Sequence, residues 1–444
     1  MMTPVVNVGI LKESEIRFKL KGSFSDPGKN KYPEGQYIAR YKDGNIELEM
    51  NDRNSLVGSG LFLQPDRGDS GNFTLFDVTI GISFHWQRKE DQVFRGGIIL
   101  SVLAGRIQII NVLPVEDYLT SVISSEMSAN SSLEMLKAHA VISRSWLLAQ
   151  IEKGKLLQAK SSKYQSVFVN DDERIVWYDR EEHTGFDVCA DDHCQRYQGI
   201  TRASTPLVVQ AVKQTEGEVL VHKGNLCDTR FSKCCGGVTE VFENTWEPIN
   251  HPYLQRIYDH AEDRPEAHTD LTGEEAARAW ILSVPDAFCN TSDHRVLSQV
   301  LNDYDQTTHD FFRWKIGYSG VELGNLIRKR IGLDFGVVQD LIPLQRGTSG
   351  RIIRLKIIGT VKSMTIGKEL EIRKALSETH LYSSAFVVEK VTEGDSVRFI
   401  LHGAGWGHGV GLCQIGAAVM GSKGYSYRDI LMHYFRGAEL GRRY

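Results

Sequence analysis

One glutamate stands where a carboxyl group could act as an acid. Val115, Leu119, Val122 and Glu126 are spaced at i, i+4, i+7 and i+11, so they form one line along a predicted helix. If this line faces the core, the Glu126 carboxyl is desolvated, and desolvation raises its pKa toward the range useful for a general acid. Alternatively, Glu126 lies at the helix end and turns into water. The spacing leaves both interpretations open.

A polar segment at residues 171–198 carries side chains that could bind a metal. His183, Cys189 and Cys194 have the spacing H-x5-C-x4-C. Imidazole with two thiolates suits tetrahedral zinc, with a fourth position for water or another side chain. His193, which precedes Cys194, could replace one of these ligands. A Cys189–Cys194 disulfide and two free thiols are the competing interpretations.

The other cysteines are less easily interpreted. Cys227, Cys234 and Cys235 form a second group, whereas Cys289 and Cys413 are isolated. Seven cysteines in 444 residues are too few for a disulfide scaffold, and the odd number leaves at least one without an intrachain partner. Each group is therefore a candidate metal or redox site, or simply part of the core.

Two glycine-containing segments could form binding surfaces. Glycine occupies every second position of residues 403–411, so a ligand could lie against the backbone there. A tightly packed strand with His408 in the core would have the same pattern. Residues 231–240 combine a glycine pair with hydroxyl and carboxyl groups, and they could line a sugar-binding cleft or form an ordinary hairpin turn.

Strands and helices must position these residues. Up to about residue 110, apolar residues recur at every second position, as in residues 45–50 and in Phe76, Val78 and Ile80, which is typical of half-buried strands. A helix containing Glu126 follows, and a second is predicted from Ser131 to about residue 154. On that second helix, Arg144 would ordinarily be a solvated or salt-bridged charge.

Composition excludes several classes of protein. The chain has 444 residues and a mass of 50.0 kDa, and its 41% apolar and 24% charged residues exclude wholesale disorder. The formal net charge of −4 argues against a nucleic-acid-binding protein. No run reaches the roughly 18 apolar residues of a transmembrane helix. The first residues lack the basic and apolar regions of a secretory signal, so none is expected at this start.

Five motifs together resemble the SpoIID/LytB family, the stage II sporulation protein D and amidase enhancer type. They are LPVEDYL at 113–119, SEM at 125–127, LKAHAVISRSW at 136–146, GGVTE at 236–240 and GHGVGLCQIGA at 407–417. They occur in the family's order over about residues 105–440, which makes the resemblance specific. His139 and Trp146 stand where the family usually has Gln and Tyr, and they are expected to alter subsite shape more than chemistry.

The resemblance implies a lytic transglycosylase that cuts peptidoglycan glycan strands, with a preference for strands without stem peptides. The family's catalytic glutamate corresponds to Glu126. Some members hold zinc in an insertion after the catalytic helix, to which His183, Cys189 and Cys194 are similar. Other members are described as enhancers of a cell-wall amidase, so a non-catalytic, glycan-binding role is the alternative. A location in the cell envelope is also implied.

The predicted fold class is α+β, with a mixed helix-and-sheet core. We expect a β-rich accessory region at 1–104, a core with the catalytic helix and the Cys/His insertion at 105–250, an inserted helical subdomain at 251–350, and a C-terminal part at 351–444 that completes the core. From the resemblance, the candidate substrate-binding residues are Arg144, Ser232, Gly236, Gly237, Thr239, Glu240, His408, Gly409 and Gln414.

Overall fold

The computed structural model describes residues 3–66, 71–81, 87–127, 131–159, 166–178, 183–191, 193–201, 205–300, 310–394 and 396–444. Helices and strands both contribute extensively to this part of the chain, so the predicted α+β fold class is confirmed. No helix in the described ranges is both long and apolar enough to cross a membrane.

The first part of the chain is built from strands. Their bounds are β1 (Val5–Glu13), β2 (Glu15–Lys21), β3 (Phe24–Ser25), β4 (Lys31–Tyr32), β5 (Gly35–Lys42), β6 (Asn45–Met50), β7 (Arg53–Leu56), β8 (Gly60–Pro65), β9 (Asn72–Ile80), β10 (Arg88–Arg95), β11 (Gly97–Leu103) and β12 (Arg106–Pro114). Many show the expected alternation: in β2, Ile16, Phe18 and Leu20 are buried and the residues between them are exposed.

The middle of the chain alternates helices with short strands. These elements are α1 (Val115–Glu126), α2 (Leu133–Ala159), β13 (Val167–Val169), β14 (Glu173–Val176), β15 (Val188–Cys189), α3 (Pro206–Gln214), β16 (Glu218–His222), β17 (Asn225–Leu226) and β18 (Phe231–Ser232). Helix α1 follows β12 directly, with Pro114 at its N-cap and two acidic residues in its first turn, where they face the positive end of the helix dipole.

The last part contains more helices and a second set of sheets. These elements are α4 (Glu274–Leu282), α5 (His294–Val300), β19 (Arg313–Ser319), α6 (Gly320–Ile331), β20 (Val338–Arg346), β21 (Ile352–Gly359), β22 (Ser363–Gly367), α7 (Glu369–Ala375), β23 (Phe386–Glu393), β24 (Ser396–Ala404), β25 (Leu412–Cys413), α8 (Gln414–Ser422), α9 (Tyr427–Tyr434) and β26 (Glu439–Arg442).

Strands pair across two of the predicted domain boundaries. One sheet has the order β15-β1-β12-β11-β8-β3-β4, so the β11–β12 hairpin spans the boundary at residue 104. Strands β20 and β21 pair across the boundary at 350, and β19 pairs with β24. A single buried cluster contains Phe18 and Leu75 from the N-terminal strands with Val122 and Leu136 from the helices. The N-terminal strands and the first helices therefore share one core.

Two local predictions need correction. The sequence predicts Phe76 on the same buried face as Val78 and Ile80, but Phe76 is only half-buried. The pairing of β9 with β10 shifts register at this point, and the neighbouring Asp77 has a φ of 57°. A β-bulge therefore moves Phe76 off the buried face.

The second correction concerns the start and end of α2. The sequence predicts a helix from Ser131 to about Gly154, but Ser132 caps the observed helix by accepting the N–H of Met135 at 3.3 Å. The Ser131 hydroxyl donates instead to a distant backbone carbonyl at 2.6 Å. The helix also continues past Gly154, because one glycine costs a long helix only about 1 kcal/mol.

Candidate functional site

Glu126 is the last residue of α1 and lies at the edge of the core. Val115, Leu119 and Val122, the residues before it on the same line of the helix, are fully buried. Glu126 itself is partly buried, so its side chain is neither enclosed in the core nor turned fully into water. Its Oε1 accepts a hydrogen bond from the backbone N–H of Arg196 at 2.8 Å. The chain therefore holds this carboxyl group in a defined orientation.

Four side chains near Glu126 form a candidate metal site, which we call the His–Cys group: His183, Cys189, His193 and Cys194. Their ligand atoms all lie within 4.8 Å of one another. His183 Nε2 is 3.2 Å from Cys194 Sγ, and His193 Nδ1 is 3.6 Å from the same sulfur. Two imidazoles and two thiols in this arrangement fit the ligand set of structural zinc. His193, predicted only as a substitute ligand, is the fourth member.

The two thiols of the His–Cys group are not bonded to each other. Hydrogen bonds, chiefly with Cys194, lower the pKa of the Cys189 thiol far below its ordinary value. The thiolate is the form of cysteine that coordinates metals. The hydrogen bonds around Cys189 therefore suit the ligand role predicted for it.

The segment that carries the His–Cys group is attached to both the sheet and α1. Strand β15 pairs in parallel with β1, with Gly9 opposite Cys189. Two residues beyond Cys194, the backbone N–H of Arg196 reaches Glu126, and the next residue, Tyr197, stacks on Tyr118 of α1 with ring centroids 5.2 Å apart. The segment therefore links the candidate metal ligands to the candidate acid, a connection that sequence spacing does not show.

One predicted binding residue lies next to the end of α1. Gln414 begins α8 and is nearly fully buried, and its side-chain amide is 3.5 Å from Met127 Sδ. Met127 directly follows Glu126 in the chain. The C-terminal motif and the first-helix motif, almost 300 residues apart, therefore meet in the fold.

His408 lies in a surrounding of aromatic and cationic side chains. Its Nδ1 accepts the N–H of Val410 at 3.0 Å, and its ring contacts Trp246 edge-on at 5.1 Å. Burial and nearby arginines lower the pKa of His408 well below its ordinary value, so the imidazole is neutral. Arg230 lies over the ring of Trp246 at 4.3 Å. The half-buried Trp246, which sequence reasoning missed, is the kind of side chain on which a sugar ring can pack.

Two other predicted binding residues lie close to this region. The Ser232 hydroxyl is buried and has no hydrogen-bond partner among the described residues. Gly409 has a φ of 77°, and a Cβ added there would come within 2.4 Å of the Arg351 guanidinium carbon. Glycine is therefore required at position 409 by the close approach of Arg351, and the residue does not by itself indicate a ligand surface.

Glu240, predicted to contact substrate, forms hydrogen bonds within the protein interior. Its carboxylate is fully buried and accepts the backbone N–H and hydroxyl groups of both Thr348 and Ser349 at 2.6–3.1 Å. The neighbouring Thr239 is also buried, and its hydroxyl donates to the Gln255 carbonyl at 2.9 Å. Both side chains join distant segments of the interior.

Arg144 is likewise an interior residue. Its guanidinium group is fully buried and makes two hydrogen bonds to the Glu116 carboxylate, at 2.8 and 2.7 Å. Gly236 and Gly237 are buried as well, and Gly236 packs against the backbone of Gly405. We therefore replace the substrate-binding assignment of these residues, as for Thr239 and Glu240, with a structural one.

Two family models match different parts of the chain. Residues 104–222 match the family model described as Stage II sporulation protein, and residues 240–411 match a domain of unknown function. The chain is 26% identical to an amidase enhancer of Bacillus subtilis, over 72% of this chain and 40% of that protein. It is 24% identical to a Stage II sporulation protein D of Bacillus amyloliquefaciens, over 74% of each chain.

A further relative is an uncharacterized protein of Brachyspira hyodysenteriae, 26% identical over 75% of this chain and 68% of that protein. The family match begins in the turn before β12 and includes α1, α2 and the segment with the His–Cys group. This match and the names of the relatives support the resemblance of the chain to the SpoIID/LytB family, with the family's domain at residues 104–222.

Proposed function

We propose that the protein is a lytic transglycosylase that cleaves the glycan strands of peptidoglycan, with a preference for strands without stem peptides. The family and the names of the relatives are consistent with lytic activity at the cell wall. The observation that supports the finer proposal is the placement of Glu126. A partly buried carboxyl group at the end of α1, oriented by the Arg196 N–H, is suited to transfer a proton.

A single carboxyl group is sufficient for this reaction. Protonated Glu126 donates its proton to the glycosidic oxygen as the bond from C1 to that oxygen breaks. The resulting carboxylate then accepts the proton of the C6 hydroxyl of the same N-acetylmuramoyl unit, and the C6 oxygen bonds to C1. The product is a 1,6-anhydro end, Glu126 is protonated again, and no water is consumed, unlike hydrolysis by an inverting glycosidase.

The His–Cys group would position Glu126 without taking part in the reaction. Zinc bound there would supply a structural crosslink within the segment that carries the group, in addition to the core contacts of Val188 and Tyr197. Because Arg196 lies two residues beyond Cys194, ordering this segment also orders the N–H that holds the Glu126 carboxyl. Ser232, His408, Gly409 and Gln414 remain the residues proposed to contact the glycan strand.

Cys189→Ser is expected to remove about one equivalent of zinc per chain and to loosen the segment around Arg196. Metal content is measured on the purified protein, and loosening is measured by hydrogen exchange of residues 183–201. We expect kcat to fall while Glu126 itself is unchanged. Equal metal content in wild type and variant, together with a Cys189–Cys194 bridge found by mass under non-reducing conditions, would exclude zinc from this site.

The activity is tested by incubating the purified protein with glycan strands that carry or lack stem peptides. We expect faster cleavage of the stripped strands and products whose ends are one water lighter than those of hydrolysis. Products with ordinary reducing ends would show a hydrolase, and an absence of cleavage under conditions where a known transglycosylase is active would contradict the proposed reaction.

A non-catalytic role as an enhancer of a cell-wall amidase is the second candidate, because one relative is named an amidase enhancer. This role requires glycan binding but not proton transfer. A protein with Glu126→Gln would then stimulate an amidase as well as wild type does. If only wild type stimulates the amidase, the effect follows from glycan cleavage.

A further inference from the structure

A second group of metal-type ligands lies buried in the interior, well outside the segment of the His–Cys group in sequence. Its members are Cys235, Asp259, Cys289 and Cys413, which we call the buried cysteine group. All four residues are buried, and their ligand atoms lie within 4.8 Å of one another. Cys235 follows β18, Cys289 precedes α5 and Cys413 ends β25. The isolated cysteines of the sequence are therefore isolated only along the chain.

The distances within this group match one tetrahedral ion. Cys235 Sγ is 3.5 Å from Cys289 Sγ and 3.6 Å from Asp259 Oδ2. Ligands at about 2.3 Å from zinc, at tetrahedral angles, are separated from each other by about 3.8 Å. A disulfide requires about 2.05 Å between sulfurs, and the 3.5 Å between Cys235 Sγ and Cys289 Sγ is too long for one. The Cys234 thiol also contacts Cys289 and Cys413 beside the group.

The ligand atoms are oriented by the surrounding chain, as in established metal sites. Asp259 Oδ2 accepts the N–H of Cys289 at 3.0 Å, and Oδ1 accepts the hydroxyl of Tyr434 at 2.6 Å. His433 Nε2 also lies 3.6 Å from Oδ1. Cys413 Sγ accepts the N–H of Cys235 at 3.2 Å. The donors thus hold the carboxylate and a sulfur toward a common centre.

Charge in the vicinity is consistent with a metal complex. Three thiolates and one carboxylate around a divalent ion carry a net charge of −2. The Arg313 guanidinium interacts electrostatically with Cys235 and Cys289, and Arg351 donates to the Cys235 carbonyl at 3.3 Å. One half-buried and one buried cation therefore lie near the group. A bound cation would further compensate the buried Asp259 carboxylate for its loss of hydration.

We propose that Cys235, Asp259, Cys289 and Cys413 bind one divalent ion of the zinc class as a second, structural metal site. Binding displaces the thiol protons, and the ion then joins three segments that are far apart in sequence. Cys289 and Asp259 belong to the segment at 251–350, whereas Cys235 and Cys413 flank it. The site would therefore fasten this segment to the rest of the core. The proposal is independent of the catalytic role of Glu126.

The test uses a full-length background with Cys189→Ser and Cys194→Ser, in which the His–Cys group is removed. Metal per chain is measured after purification under reducing conditions. We expect about one equivalent of zinc to remain, and Cys289→Ser to remove it. Cys227→Ser is the matched control, because Cys227 is also fully buried but lies outside the group. Equal metal content with Cys289→Ser and with Cys227→Ser would overturn the proposal.

Wild-type protein provides a second measurement that does not depend on the folding of a variant. Cysteines are alkylated with and without a zinc chelator, and the modified peptides are identified by mass. We expect Cys235, Cys289 and Cys413 to become reactive together when the chelator is present, because metal-bound thiolates are protected. Unchanged labelling of these three cysteines, or a Cys235–Cys289 bridge, would exclude the metal.

Discussion

Glu126→Gln is expected to reduce the cleavage of stripped glycan strands by roughly 10²–10⁴-fold or more, while the fold is retained. Glutamine has nearly the same shape and can still accept the Arg196 N–H that the carboxylate accepts at 2.8 Å. It can neither donate the proton to the glycosidic oxygen nor accept the proton of the C6 hydroxyl. We therefore expect kcat, measured by release of 1,6-anhydro products, to decrease, with little change in the unfolding midpoint.

Glu152→Gln is the matched control for this experiment. Glu152 lies on α2 and is well exposed, and it forms an ion pair with Arg443 at 2.7 Å. The same chemical change there should leave cleavage unaltered, because exposed ion pairs contribute only about 0–1 kcal/mol. If the Glu126 variant retained wild-type activity, Glu126 could not be the acid.

Arg144→Ala is expected to lower the free energy of unfolding by about 3–5 kcal/mol, because it leaves the Glu116 carboxylate in the interior without its cation. The Arg144 side chain is fully buried, and Glu116 is 17% exposed, so water compensates little of this loss. Urea unfolding followed by circular dichroism measures the change. Cleavage by the fraction that remains folded should keep its KM, since we assign Arg144 no contact with the glycan.

The control for Arg144 is Arg295→Ala. Arg295 pairs with Asp293 at 3.0 Å, but its side chain is 89% exposed, and a surface pair of this kind contributes at most about 1 kcal/mol. A raised KM in Arg144→Ala without a loss of stability would restore the substrate-binding interpretation that the sequence motif suggested.

Local pattern determined several features correctly. The apolar spacing of Val115, Leu119 and Val122 placed α1 with the right buried face, because the period of a helix is a local property. The short spacing of His183, Cys189 and Cys194 was also informative, since residues within one compact loop are forced to lie close together. The resemblance to the SpoIID/LytB family, carried by motifs in order, is confirmed by the family match.

The role of polar residues inside motifs was decided only by the tertiary structure. Arg144 and Glu240 both occur in family motifs, and nothing in their local sequence shows whether they face water or the interior. Their partners, Glu116 and the Thr348 segment, lie 28 and 108 residues away. A charged side chain has the same local pattern in either place, and only the partner that compensates its burial distinguishes a structural residue from a binding residue.

The buried cysteine group is the clearest case in which the local sequence does not reveal which residues meet in the fold. Cys235, Cys289 and Cys413 span 178 residues, and their spacing in sequence matches no compact metal motif. They meet because strand pairing brings β18 beside β25 and because Asp259 is held between Cys289 and Tyr434. The sequence by itself determined the helices, the alternating strands and the compact His–Cys segment. The contacts between distant segments, including the Arg196 N–H at Glu126, were decided by the packing of the whole chain.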